Sequence, residues 1–137
     1  MAIPQFESAE GYVAELENWA TNDLQIRMQV ANFYVKWALA IKAGREIDFD
    51  NEKRRRSKYQ SLADQALNLL LQIPRVQRDD TQYHLMAECY YIKWEYDKAI
   101  KMIERAEKLS DTPLVYGRTR YKIESTRDYY YRRTLES

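Results

Sequence analysis

The chain has 137 residues, 45% of them apolar, 31% charged and 13% aromatic, and a formal net charge of +1. That is long enough for one domain with a real core and too apolar for a disordered chain. The balance of 22 basic against 21 acidic residues speaks against a surface devoted to nucleic acid or membranes, and three glycines with three prolines are too few for a β-sandwich or barrel, so the expected class is all-α.

Ser8 reads as the cap of an N-terminal helix over 8–20, with Tyr12, Val13, Leu16, Trp19 and Ala20 on one face. Asn22, with Gln25 three residues on, resembles a capping box for the next helix. From Leu24 to about Ala43 there are two apolar stripes, one through Ile26, Val30, Phe33, Trp37 and Ile41, the other through Leu24, Met28, Ala31, Val35 and Leu39. A helix apolar on two sides is expected to be covered on both, with Gly44 as its stop. Residues 44–58 form a charged connection in which Asp50 is a candidate cap. Beyond it Tyr59, Leu62, Ala63, Ala66, Leu69, Leu70 and Ile73 form an apolar helix face that ends at Pro74. Asp79 with Gln82 is a second candidate capping box, followed by helices over about 80–93 and 96–109. Thr112 and Pro113 open the last helix, over 113–134, which carries Tyr116, Ile123 and Tyr130 on one side and is polar elsewhere.

From Asp80 onward the segment resembles a tetratricopeptide repeat, a helix pair of about 34 residues with small and aromatic residues at fixed places. Tyr83, Met86, Ala87 and Tyr90 stand at the pattern positions of the first helix, and Tyr96, Ala99, Ile103 and Ala106 at those of the second. Pro113 falls two residues past the proline position, which Asp111 occupies, and Trp94 replaces the turn glycine. A less complete match covers 24–74, with Val30, Ala31 and Tyr34 on one helix and Tyr59, Leu69 and Pro74 on the other. The charged 44–58 hairpin between them is longer than the family's, and 113–134 would be the polar closing helix. The resemblance implies a single domain over 1–137, with antiparallel hairpins in a right-handed superhelix of about six helices. Alternating small and large side chains explain most of the aromatics in 83–96 as packing.

The resemblance also implies a groove lined by the first helices. It would comprise Met28, Asn32, Val35 and Lys36, then Thr81, His84, Glu88, Tyr91 and Ile92, then Arg118 and Lys122. A mixed polar and aromatic groove suits a partner's peptide or helix.

Residues that carry chemistry are sparse. His84 is the only histidine and Cys89 the only cysteine, so no disulfide forms within the chain, a reducing compartment is expected, and no metal-ligand cluster is in view. The glycines at 11, 44 and 117 never cluster into a phosphate loop. No cofactor, metal or catalytic residue is therefore expected. The opening MAIPQFESAEGY lacks the marks of a secretory signal, and no run approaches the roughly 18 apolar residues of a membrane span, so a cytoplasmic location is expected. Two basic stretches, KRRRSK (53–58) and RDYYYRR (127–133), mark Arg54, Arg55, Arg56, Tyr129, Tyr130, Tyr131 and Arg132 as candidate docking or oligomer contacts. Four successive basic residues point all around a helix, and Glu46, Asp48, Asp50 and Glu52 offset them, which disfavours nucleic acid.

The expected function is that of a non-enzymatic protein-interaction module, an adaptor, chaperone or assembly subunit. The alternatives are a self-assembling structural subunit and, third, a single-stranded nucleic-acid binder using the basic-aromatic segments.

Overall fold

The computed structural model describes residues 3–19, 23–44 and 51–136, with side chains from residue 6 to residue 135. These residues form six α-helices joined by short links, without a strand: α1 Ile3–Glu17, α2 Leu24–Lys42, α3 Glu52–Leu71, α4 Asp80–Ile92, α5 Tyr96–Leu109 and α6 Gly117–Glu136. Short 3-10 turns lie at Arg75–Gln77 and Pro113–Tyr116. The chain forms two compact units, Met1–Arg75 and Val76–Ser137.

In the first unit α2 and α3 form a hairpin. The Asp23 carboxylate caps α2 by accepting from the N–H groups of Gln25 and Ile26, and Asn51 caps α3 by accepting from Arg54. The two caps expected from the sequence, Asn22 and Asp50, lie outside the described residues. Gly44, at φ +78°, follows the last turn of α2 in the left-handed conformation, and its N–H donates to the Ile41 carbonyl. The Arg55 guanidinium adds a 3.4 Å hydrogen bond to the same carbonyl and pairs with Glu52. A cation at a helix C-terminus is favourably placed against the dipole. Trp37, Ile41, Leu62, Leu70 and Ile73 are fully buried, each contributing on the order of 1.5–3 kcal/mol of transfer free energy as an upper bound.

The N-terminal helix begins five residues before the expected Ser8 cap, which sits in mid-helix. The reason is Phe6, whose ring stacks on Trp37 at 6.1 Å and tilts against Phe33 at 5.7 Å. The packed face thus runs through Phe6 and the buried Val13, whereas Tyr12 and Trp19 are 67% and 70% exposed. The Tyr34 hydroxyl, donating to Glu17, ties α1 to α2. Burial first, then the Glu17 charge and hydrogen bond, push this phenol up to about 12.

In the second unit Asp79 and Gln82 form the capping box read from the sequence. The hairpin of α4 and α5 holds Ala87, Ala99, Ala106, Cys89, Met86 and Ile103 fully or almost fully buried. Small side chains at these positions let helix axes approach closely. Arg105 over the Tyr83 ring and Lys98 over the Tyr90 ring show that α5 runs antiparallel to α4. Helix α6 then runs antiparallel to α5. Arg120 pairs with Glu104 and Glu107 near the end of α5, and Arg127 pairs with Asp97 near its start. Among the described side chains of α6 only Ile123 is fully buried.

Candidate functional site, an aromatic cleft at the turn of the second hairpin

The turn between α4 and α5 carries the most unusual backbone in the described chain. The Trp94 N–H donates to Tyr91 and the Glu95 N–H to Tyr90, at 3.0 and 2.9 Å. These two bonds make a Schellman motif, with Trp94 in the position where glycine is usual. Its φ is +67°, and it is the only non-glycine residue with positive φ among the described residues. A left-handed backbone costs a bulky L-residue roughly 1–2 kcal/mol. The first hairpin gives the corresponding position to Gly44, at no such cost.

What accompanies this strain is a row of rings. Trp94 stacks on Tyr130 with centroids 6.1 Å apart and planes 24° apart, and Tyr130 stacks on Tyr96 at the same distance with planes 14° apart. Tyr91 meets Tyr96 edge-on at 6.0 Å, and Tyr129 meets Tyr130 edge-on at 5.4 Å. Trp94, Tyr96 and Tyr130 line a surface depression of about 440 Å³, together with Glu95, Asp97, Lys98, Arg127, Tyr131 and Thr134. Trp94, Tyr130 and Tyr131 remain 37%, 45% and 58% exposed. Arg127 pairs with Asp97 at 3.5 Å, and Glu95 with Lys98 at 3.3 Å, so the rim is internally neutralised.

Adjacent on α4 lies a polar cluster. Glu88 is only 6% exposed. Lys122 Nζ donates to it at 3.1 and 3.4 Å and sits 4.7 Å above the Tyr91 ring. His84 Nε2 lies 3.5 Å from the same carboxylate and 3.2 Å from Thr119 Oγ1. Burial alone would push the Glu88 carboxyl up, but the hydrogen bond from His84 and the charge and hydrogen bond of Lys122 outweigh it, leaving its pKa below the ordinary value. At the start of α4 the Tyr116 hydroxyl donates to Asp80. Burial and that carboxylate push the phenol up to about 12.

The groove residues expected on α4 thus divide. His84, Glu88 and Tyr91 are brought together with Lys122: His84 and Glu88 bond to α6 side chains, and the Tyr91 ring lies beneath the Lys122 ammonium. Thr81 and Arg118 are exposed, and Ile92 is fully buried. In the first unit Met28 and Asn32 are half-buried, Val35 is buried and Lys36 is exposed. Of the candidate docking residues, Arg54, Arg56, Tyr129 and Arg132 are exposed, while Arg55 is spent on the end of α2. Trp94 and Tyr96, read from the sequence as packing residues, and Arg127, read there only as part of the 127–133 basic stretch, are cleft residues. The available signal was the tryptophan at the expected turn glycine.

The described residues contain no group of three or more His, Cys, Asp or Glu side chains placed to hold a metal ion, and Cys89 is buried. No described helix is long and apolar enough to cross a membrane. No protein-family profile, curated protein or solved structure matches the chain.

Proposed function

We propose that the chain is a non-enzymatic protein-interaction module that binds a partner segment on its second unit. The observation that carries this is the exposed aromatic cleft built around a strained tryptophan. Strain of this kind persists where the surroundings hold it in place, and it clusters at binding and catalytic sites. Exposed tryptophan and tyrosine beside arginine is the composition of interface hot spots. The kinship in plan with tetratricopeptide repeats, including a right-handed superhelix, belongs to the same proposal. Its support is the burial of Ala87, Ala99 and Ala106 in the α4–α5 hairpin, as close helix approach requires.

The test is capture from a lysate of the native source, comparing the unmodified chain with a Tyr130→Ala, Tyr131→Ala variant of equal helicity by circular dichroism. A defined protein retained by the first and lost by the second is the expected result. An identical set of proteins on both overturns the cleft as the working surface.

A further inference from the structure

We infer that a second copy of this chain is a binding partner, with α1 of one copy laid against α6 of another. The contact uses none of the residues that line the cleft and goes beyond the reading of the cleft. Three observations carry it.

The first is where apolar surface lies uncovered. Tyr12 and Trp19 are exposed and two turns apart, which places them on one face of α1. Trp19 continues the helical turn past Glu17, its N–H donating to the Leu16 carbonyl at 2.9 Å. On α6, Tyr121 and Leu135 are exposed and about four turns apart, again on one face. A helix covered on one side only ordinarily turns polar and charged residues outward on the other. The outer faces of α1 and α6 carry these large apolar side chains instead.

The second is charge. Helix α1 holds Glu7, Glu10, Glu15 and Glu17 and no basic residue. Glu17 accepts from the Tyr34 hydroxyl, and Glu10 lies 3.9 Å from Lys58. Glu7 and Glu15 are exposed and form no ion pair among the described residues. Helix α6 holds six basic residues against three acidic ones. Its carboxylates Glu124 and Asp128 are taken up by Arg120 and Arg127 of the same helix. Arg118 and Arg132 are exposed and form no ion pair among the described residues. Arg118 stands three residues before Tyr121 and Arg132 three before Leu135, while Glu15 stands between Tyr12 and Trp19, so the charges border the apolar side chains. One stripe is aromatic and anionic, the other aromatic and cationic. Either stripe set against a copy of itself brings like charges together, which is repulsive. Set against each other they attract, and a guanidinium over an exposed ring adds to the contact.

The third is size. An aromatic side chain buries about 150–250 Å², so Tyr12, Trp19 and Tyr121 together supply about 450–750 Å². That is well short of the roughly 1,600 Å² of a stable complex. The contact is therefore weak, dependent on concentration and sensitive to salt. The two surfaces differ, so the contact is heterologous, and every copy carries one of each.

The experiment is analytical ultracentrifugation of the full chain from about 1 μM to about 1 mM, the range of weak association. The expected result is a mass that rises with concentration, and an association about tenfold or more weaker in about 1 M salt, where charges are screened within about 3 Å. Two charge-reversed chains of unchanged helicity by circular dichroism test the pairing, one Glu7→Lys with Glu15→Lys, the other Arg118→Glu with Arg132→Glu. Each alone should associate about tenfold or more weakly, because like charges now meet. An equal mixture of the two should associate again, since the first keeps the cationic α6 and the second the anionic α1. Damage to folding cannot produce that rescue. A wild-type chain that stays monomeric throughout overturns the proposal. So does association that either reversed chain retains, or that mixing does not restore. Unchanged association of a Tyr12→Ala, Trp19→Ala chain overturns it as well. The cleft reading stands or falls separately, on capture through Tyr130 and Tyr131.

Discussion

Trp94 sets two energies against each other. Its left-handed backbone is unfavourable by roughly 1–2 kcal/mol, and its ring recovers part of that by stacking on Tyr130 at 6.1 Å, where aromatic pairs contribute about 0.5–1.5 kcal/mol beyond burial. Two substitutions separate the terms. Trp94→Ala keeps the strain and loses the ring, whereas Trp94→Gly loses both. The glycine chain should therefore be more stable than the alanine chain by about 1 kcal/mol in urea unfolding, after the larger unfolded-state entropy of glycine is allowed for. Equal stability of the two would mean that the backbone term is absent. The sequence reading noted that tryptophan stands where the turn glycine belongs. It could not place the ring, because that depends on Tyr130, which is 36 residues away in the chain (130 minus 94).

At the scale of elements, α6 is fastened to α4 and α5 more by charge than by apolar burial. Ile123 is fully buried, while Arg120 reaches across to Glu107 at 2.8 Å and Glu104 at 3.7 Å on α5. Exposed pairs of this sort each contribute about 1 kcal/mol or less. The Lys122–Glu88 pair differs because the carboxylate is buried. Lys122→Ala should cost about 1–2 kcal/mol, less than a fully buried pair because the lysine is half-exposed, as read by thermal or urea unfolding. Glu88 has a depressed pKa in the folded chain. Its contribution is therefore complete above the ordinary glutamate pKa and is lost as pH falls through the lower folded value. The Glu88→Gln chain should lack this share of the acid dependence, and an unchanged acid profile would rule out the pair as its source. Helices with strong local signals were legible in the sequence. The Asp79–Gln82 box and the periodic faces of 80–92 and 96–109 needed no tertiary information. The start of α1 was not legible, because Phe6 extends the helix by stacking on Trp37, a contact between distant residues that no local period encodes.

For the molecule as a whole, burial is uneven in a way that hydrogen exchange can read. The α2–α3 and α4–α5 hairpins hold most of the fully buried residues. Helix α6, at 20 residues against 14 for α5, extends past the start of its neighbour and leaves Leu135 84% exposed. Local opening is cheapest where few apolar contacts must break. Amides of the two hairpins should exchange slowest and those of 131–136 fastest, with 94–98 slowing when the cleft is filled. Rapid exchange throughout α4 would contradict the packing described above. The cleft itself was the least legible part of the fold. Its members come from a turn, the first turn of α5 and the far end of α6, and the pairing of Arg127 with Asp97 and the stacking of Tyr130 on Trp94 and Tyr96 bring them together.

The left-handed turn also shapes how position 94 can change over generations. Glycine there fits the backbone and offers no ring, while tryptophan offers the ring in a strained turn. Most other residues keep the strain and contribute less surface. A lineage that leaves tryptophan thus drops into a less stable intermediate or goes directly to a quiet, glycine-bearing turn. The identity of this one residue in descendants of the chain would serve as a marker of whether the cleft is still in use.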